Sequence, residues 1–290
     1  MIKDCSKIWE ELFVVNDPTF ELTYFGKDED IPIVVVKNIL KYPDKVREFL
    51  SNGYWWKNGF SEEYARPGKS FEFGGNKKLY VSKLIDYFES FFGVEYIHLL
   101  DLYGNCFNGN MDLPNVSSVF PHVDSWPEDK EYDLYLEGKL DVIESIKPDI
   151  AFNINLTNTD KVNTSIWSFN NKKSIFDLNR EDFNYYESFS EDMENKFAKN
   201  TKWFQLDSSY GPYKCEDIIP IEYNSMILYP SFYWHSAYVE SEWFNDSDRI
   251  TLTGFMGIDP NNMNFKKENL KNVYSVWEFF GLNKIYGLNQ

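Results

Sequence analysis

The 290-residue chain is poor in the residues from which many sites are built. It has three cysteines, Cys5, Cys106 and Cys215, and none stands in a Cys-x-x-Cys pair. That excludes a disulfide framework and disfavours a thiolate zinc site. It has three histidines, His98, His122 and His235, so any imidazole chemistry must come from a very small set. Basic residues are scarce as well. Against 29 Lys and Arg stand 46 Asp and Glu, and the net charge of −17 argues against charge-driven binding to DNA, RNA or anionic membranes. Long apolar runs are missing. The start, MIKDCSKIWEELFVV, carries acidic residues where a signal peptide needs an apolar core. Residues 31–36, interrupted by Pro32, are far too short to span a bilayer. A cytoplasmic protein with reduced thiols is the expectation. No internal repeat and no Ser/Gly-rich linker divides the chain, so residues 1–290 read as a single domain.

What is present in quantity is large apolar side chains. Apolar residues make up 43% of the chain and aromatics 19%, which excludes disorder and supplies a sizeable core. The first third reads as mixed α and β. IPIVVVKN (31–38) predicts a strand. PDKVREFL (43–50) predicts a helix with Val46, Phe49 and Leu50 on one face and Gly53 as its stop. A second helix is predicted from a Ser82 cap to Gly93, with Leu84, Ile85, Phe88, Phe91 and Phe92 as its apolar side.

From about residue 96 the pattern changes to short segments rich in β-branched and aromatic residues: YIHLLDLYG, VFPHVDS, DIAFNINLTN, NTSIWSFN, YNSMILYPSFYWHSAYV and RITLTGFMGI. Such a series predicts a β-sandwich or barrel. Two acidic stretches, 127–148 and 170–217, read as insertions on one end of that core, either solvated decoration or a lid over a substrate site. ENLKNVYSVWEFF (268–280) has the spacing of an amphipathic helix through Leu270, Val273, Tyr274 and Trp277. The predicted layout is an α/β support in 1–95, a β core in 96–259 and a C-terminal helix in 260–290.

Chemistry concentrates at two of the histidines. On a strand, residues i and i+2 share a face, so His122 and Asp124 in FPHVDS offer an imidazole nitrogen and a carboxylate oxygen to one point. His235 stands in an apolar strand pattern, where an imidazole needs a partner. Two His and one carboxylate are the facial triad that holds Fe(II) with open positions. Farther on, alternation in RITLTGF puts Arg249, Thr251 and Thr253 on one face and Ile250 and Leu252 on the other. A guanidinium aimed into a β core needs an anion, and its planar fork fits a carboxylate. Asn153 and Asn155 in AFNINL and the tryptophans Trp126 and Trp167 are further candidates for lining the pocket. His98 reads as structural, and Gly74-Gly75 is a turn rather than a phosphate loop.

The order His122-x-Asp124, His235, Arg249-x-Thr251 resembles the signature of the Fe(II)- and 2-oxoglutarate-dependent oxygenases. Within them the chain is similar to a prolyl-hydroxylase-like branch of bacterial and phage proteins. The likeness extends through VVKN (35–38), PDKVREF (43–49), Arg66-Pro67-Gly68, Pro121 to Ser125, and Tyr223-Asn224-Ser225 through Leu228-Tyr229-Pro230 to His235-Ser236-Ala237. It departs at Val162-Asn163-Thr164-Ser165, where family members tend to carry a Gly-Gly-Thr turn, and in a longer acidic stretch after Asp124.

The resemblance implies a mainly β chain with flanking helices, with a double-stranded β-helix (jelly-roll) core and an N-terminal α/β extension. It implies Fe(II) on His122, Asp124 and His235, 2-oxoglutarate on the metal and on Arg249 and Thr251, and O2 as co-substrate. Because Asp124 is a carboxylate rather than the small residue of the family's halogenases, hydroxylation or a related oxidation is the expected reaction. The partner is an unidentified substrate, a small molecule or peptide of neutral or basic character, with no nucleic acid and no membrane. Two alternatives use the same residues: a binding or virion-associated jelly roll with a vestigial metal site, and a cupin-like metalloenzyme that ignores 2-oxoglutarate.

Overall fold

In a computed structural model, the structure describes residues 12–52, 56–57, 69–72, 81–92, 97–107, 121–125, 129–139, 150–197, 209–238, 243–244, 246–257 and 278–281. The described chain is mainly β, in two antiparallel sheets. Twelve strands run as β1 (Thr19–Phe25), β2 (Ile31–Lys37), β3 (Trp56–Lys57), β4 (Lys69–Glu72), β5 (His98–Phe107), β6 (Ile150–Asn155), β7 (Asn163–Phe169), β8 (Ser209–Tyr210), β9 (Tyr213–Pro220), β10 (Ser225–Pro230), β11 (His235–Tyr238) and β12 (Arg249–Gly257). Helices α1 (Pro43–Asn52), α2 (Ser82–Phe92), α3 (Asp129–Leu136) and α4 (Arg180–Phe197) flank them. The larger sheet has eight strands in the order β1-β2-β10-β6-β12-β5-β4-β3, and the smaller has four in the order β11-β7-β9-β8. Among the described residues no helix is long and apolar enough to cross a membrane.

The large sheet is buried on both faces in its middle, and the sequence shows why. Strand β2 is a near-continuous apolar run because its alternate residues serve two cores. Ile31 and Ile33 join Ala151, Ile227, Tyr229, Ile166 and Ile219 in a cluster shared by the two sheets. Val34 and Val36 join Phe152, Ile154, Leu252, Met226 and the helix residues Val46, Leu84, Ile85 and Phe88 on the other face. The Phe88 and Phe152 rings meet at 5.1 Å between centroids, which seats α2 on that outer face.

Gly254 makes this contact possible. It lies opposite Phe152 across the β12–β6 ladder, and a Cβ there would land on the Phe152 ring and 3.1 Å from the Asp101 carbonyl. Gly254→Ala should therefore destabilise the fold by about 1–3 kcal/mol, the usual cost of overpacking, read as a lower midpoint in thermal unfolding.

Asn224 ties the N-terminal segment to this core. Its backbone takes the left-handed conformation with φ 57°, and its side chain accepts from the Leu40 N–H at 3.0 Å and donates to the Leu40 carbonyl at 2.9 Å. Asn tolerates both demands better than a β-branched or apolar residue.

Several expectations need correction. The segment YNSMILYPSFYWHSAYV is two strands, β10 and β11, parted by a turn at 231–234. The stretch 170–217 connects two neighbouring strands: it leaves the core at the end of β7, buries Phe183 of α4, and its last residues, 213–217, open β9, which pairs with β7. The first acidic stretch contributes α3, and its Tyr132 is fully buried, donating to the Ile175 carbonyl at 3.0 Å. Arg180 pairs with Asp133 and covers the Phe183 ring, so the two acidic stretches pack on each other. A lone charge pair on such a surface contributes little, and the buried rings hold the contact. Strand β1 stands outside the strands expected from the sequence. Helix α2 counts Ser82 as its first residue rather than as a preceding cap. Gly53, Arg66-Pro67-Gly68, Gly74-Gly75, Gly93, Trp126 and the helix positions Leu270, Val273, Tyr274 and Trp277 lie outside the described residues.

Candidate metal centre

His122 and His235 face each other across an antiparallel bridge. The His122 N–H donates to the His235 carbonyl and the His235 N–H to the His122 carbonyl, both at 2.9 Å. This pairing brings the two rings to 4.6 Å between centroids. Asp124, two residues on, returns to the same place. Its carboxylate oxygens lie 3.0 Å from His235 Nε2 and 3.7 Å from His122 Nε2. The candidate ligand atoms of the three residues all lie within 4.8 Å of one another.

The contacts behind His235 set which nitrogen it presents. His235 Nδ1 is 2.9 Å from the Tyr233 carbonyl. That bond places a proton on Nδ1 and leaves Nε2 as the nitrogen that faces Asp124 and an ion. The imidazole is 4% exposed and meets the Tyr229 ring edge-on at 4.7 Å, which fixes its plane. Burial works against charge on His235. The neighbouring Asp124 carboxylate and the hydrogen bonds to Asp124 and Tyr233 outweigh it, and the imidazole pKa lies above its ordinary 6.5.

The sign of this shift makes a prediction. A raised folded-state pKa contributes stability below the unfolded value, and that contribution is lost as pH rises through the folded value. A metal ion must displace the same proton. Affinity for Ni(II) or Co(II) should therefore climb up to about tenfold per pH unit below the folded pKa of His235 and flatten above it. Calorimetric titrations at several pH values read this slope directly.

Arg249 opens β12, at the edge of the polar face that looks toward the small sheet. Thr251 pairs with Asn155, and Thr253 with Asn153, while Ile250, Leu252 and Met256 point to the helix side. Phe255 and Ala151 of the same inward face belong to the cluster that holds Ile166, the residue paired with His235. Arg249 is 6% exposed, and among the described residues its Nε and Nη2 have no hydrogen-bond partner; neither does Thr251 Oγ1. Burial alone pulls the guanidinium pKa down to about 10. A buried cation without an anion is costly.

The remaining candidates divide. Asn155 is committed to the backbone: it donates to the Ile221 carbonyl at 2.7 Å and accepts from the Thr157 N–H at 2.6 Å. Asn153 keeps a buried Oδ1 on the inward face without a partner among the described residues. Trp167 does not face the centre. It packs in the outer core, and its indole N–H donates to Ser165 Oγ at 2.8 Å. His98 opens β5, opposite Gly257. Val162 is buried and Asn163–Phe169 forms β7, so the departure from a Gly-Gly-Thr turn is absorbed into a regular strand. Asn105 escaped sequence reasoning. It donates to Thr253 Oγ1 at 3.0 Å and so lies on the Arg249 face.

No protein-family model matches the chain, and no curated protein matches it in sequence. Solved structures do match in outline, three of them as follows. HygX from Streptomyces hygroscopicus, solved with nickel and 2-oxoglutarate bound, has a TM-score of 0.45 at 10% identity, over 79% of this chain and 84% of that one. The non-heme alpha-ketoglutarate-dependent carbocyclase SnoK from nogalamycin biosynthesis has 0.42 at 10%, over 89% and 85%. A Pseudomonas putida prolyl-4-hydroxylase has 0.37 at 9%, over 75% and 84%.

Proposed function

We propose that the protein is an Fe(II)- and 2-oxoglutarate-dependent oxygenase acting as a hydroxylase on a double-stranded β-helix core. The strand order supports that architecture. Strands β5-β12-β6-β10 in one sheet face β11-β7-β9 in the other, and the His122 segment bridges to β11 at the outer edge of the second sheet. The observation that carries the functional reading is the buried, anion-free Arg249 on the face toward a His-Asp-His cluster. A metal centre alone accounts for His122, Asp124 and His235. It leaves the Arg249 charge unexplained, and a dicarboxylate that reaches from the metal to the guanidinium explains both.

In this reading His122, Asp124 and His235 hold Fe(II), and the Tyr233 carbonyl keeps Nε2 of His235 aimed at it. Bound iron, with 2-oxoglutarate and O2, supplies the oxidising chemistry that turns 2-oxoglutarate into succinate and CO2 and oxidises the substrate. Arg249 would hold the far carboxylate of 2-oxoglutarate, with Thr251 Oγ1 as a further donor. The aliphatic walls from Ile166, Ile219 and Ile227 keep water from the charged contacts and so strengthen them. The substrate is a small molecule or peptide without strong negative charge, in keeping with a net charge of −17, and the enzyme works in the cytoplasm. Conversion of 2-oxoglutarate to succinate that requires both Fe(II) and O2, followed by NMR against pools of amino acids, peptides and nucleosides, tests the proposal. No succinate above the metal-free control in any pool would sink it.

A further inference from the structure

Asp124 reaches the metal centre from a segment that no ladder holds. Of residues 121–125 only His122 makes a strand bridge, and the chain opposite Asp124, 231–234, is a turn between β10 and β11. Three contacts from Ser231 span that gap. Its carbonyl accepts from the Asp124 N–H at 2.8 Å and from the Ser125 N–H at 3.4 Å. Its hydroxyl meets the Ser125 hydroxyl, and both serines are completely buried. Ser231 also stands in the turn that leads into His235. It therefore connects the carboxylate half of the cluster to the histidine half.

We propose that the Ser125–Ser231 hydroxyl pair is a positioning latch for the metal site. It holds the Asp124 backbone against the turn that aims His235, and so sets the distance between the carboxylate and the two imidazoles. The inference rests on the reading of His122, Asp124 and His235 as metal ligands. Its physical basis is general. A ligand's affinity for an ion depends on how well the surrounding shell fixes it, and removal of one such outer contact costs roughly 10–100-fold in metal affinity.

The same two sheets supply a control. Ser165 and Ser236 form a second buried hydroxyl pair, at 2.9 Å, on β7 and β11. Ser236 follows His235, but the pair is capped by the Trp167 indole in the outer core, on the side away from the cluster. Loss of that pair costs stability without a path to Asp124.

The test is titration of the metal-free protein with Co(II), read by calorimetry and by the visible d–d spectrum, together with the unfolding midpoint. Ser125→Ala and Ser231→Ala are each expected to bind Co(II) about 10–100-fold more weakly than the parent, with an altered visible spectrum. The double variant is expected to be no weaker than either single one, because the two hydroxyls act through each other. Ser165→Ala is expected to lower the unfolding midpoint and leave Co(II) affinity unchanged. If Ser231→Ala is too unstable to titrate, Ser125→Ala carries the comparison. Affinities of Ser125→Ala and Ser231→Ala within twofold of the parent, or an equal loss in Ser165→Ala, would overturn the latch and leave the metal centre standing. A parent protein that binds no Co(II) would instead overturn the metal centre, and the latch with it.

Discussion

Asp124→Ala should abolish metal binding in any practical titration. Asp124 is the one acidic residue of the His122–Asp124–His235 cluster, and its two oxygens face one imidazole each. Without it, two neutral imidazoles remain, with no charge to balance a divalent ion. Affinity should fall by more than the roughly 100-fold that outer contacts alone can cost. The variant has a second signature. His235 loses the neighbour that holds its pKa above the ordinary value, and burial then dominates and favours the neutral ring. Stability held at low pH through the His235–Asp124 pair disappears, so the acid limb of the stability profile should shift. Chemical denaturation of the metal-free protein across pH reads this, and a metal titration reads the first effect. Metal affinity close to that of the parent would mean that the ion, if any, sits elsewhere.

Arg249→Met should produce opposite effects on binding and on stability. Truncating one partner of a buried, hydrogen-bonded charge pair costs about 2–5 kcal/mol, so affinity for 2-oxoglutarate should drop roughly 30- to 5000-fold. Metal affinity should stay near that of the parent, because the guanidinium is not among the ligands. In the ligand-free protein the guanidinium is a buried charge with no partner at Nε and Nη2, and its depressed pKa means that folding works against its charge at every pH below about 10. Its replacement by an apolar chain of similar length should therefore raise the unfolding midpoint by a few degrees. A large destabilisation of ligand-free Arg249→Met would show that Arg249 serves the fold rather than a ligand.

Those two residues illustrate what the sequence makes legible. The spacing of His122 and Asp124 requires only that a strand-like backbone carry i and i+2 to one side, and the alternation 249, 251, 253 requires only an ordinary ladder. Both rules are local; the second holds along β12, whereas of 121–125 only His122 makes a bridge, and Asp124 is held beside it through the Ser231 carbonyl. The partner of His235 was less accessible, because the bridge that brings it to His122 joins segments more than a hundred residues apart. Trp167 fails for a related reason. It stands two places from Ser165 on a strand whose register slips beside it, so its side follows from β7's place between β11 and β9 rather than from its composition.

The acidic stretches carry more of the packing than their charge suggests. Strand β9, YKCEDIIP, has Lys214, Glu216 and Asp217 at half-buried positions and still pairs with β7 from end to end, with one register shift. Tyr132 sits among aspartates and glutamates, yet it is fully buried against Phe183. Strand β1, TFELTYF, alternates as a strand should, and its apolar side is incompletely covered: Phe20 and Tyr24 rest against Phe91 and Phe279 at the sheet edge. The pairing of Ser125 with Ser231 has no sequence signal. It follows from which segments the fold brings together.

The most direct test of the central claim is spectroscopic. Fe(II) and then 2-oxoglutarate are added to the protein without oxygen, and the visible absorption is followed. The account predicts a charge-transfer band that needs both additions, is absent in His235→Ala, and in Arg249→Met appears only at far higher 2-oxoglutarate. No band in the parent protein, or a band that His235→Ala leaves intact, would contradict it.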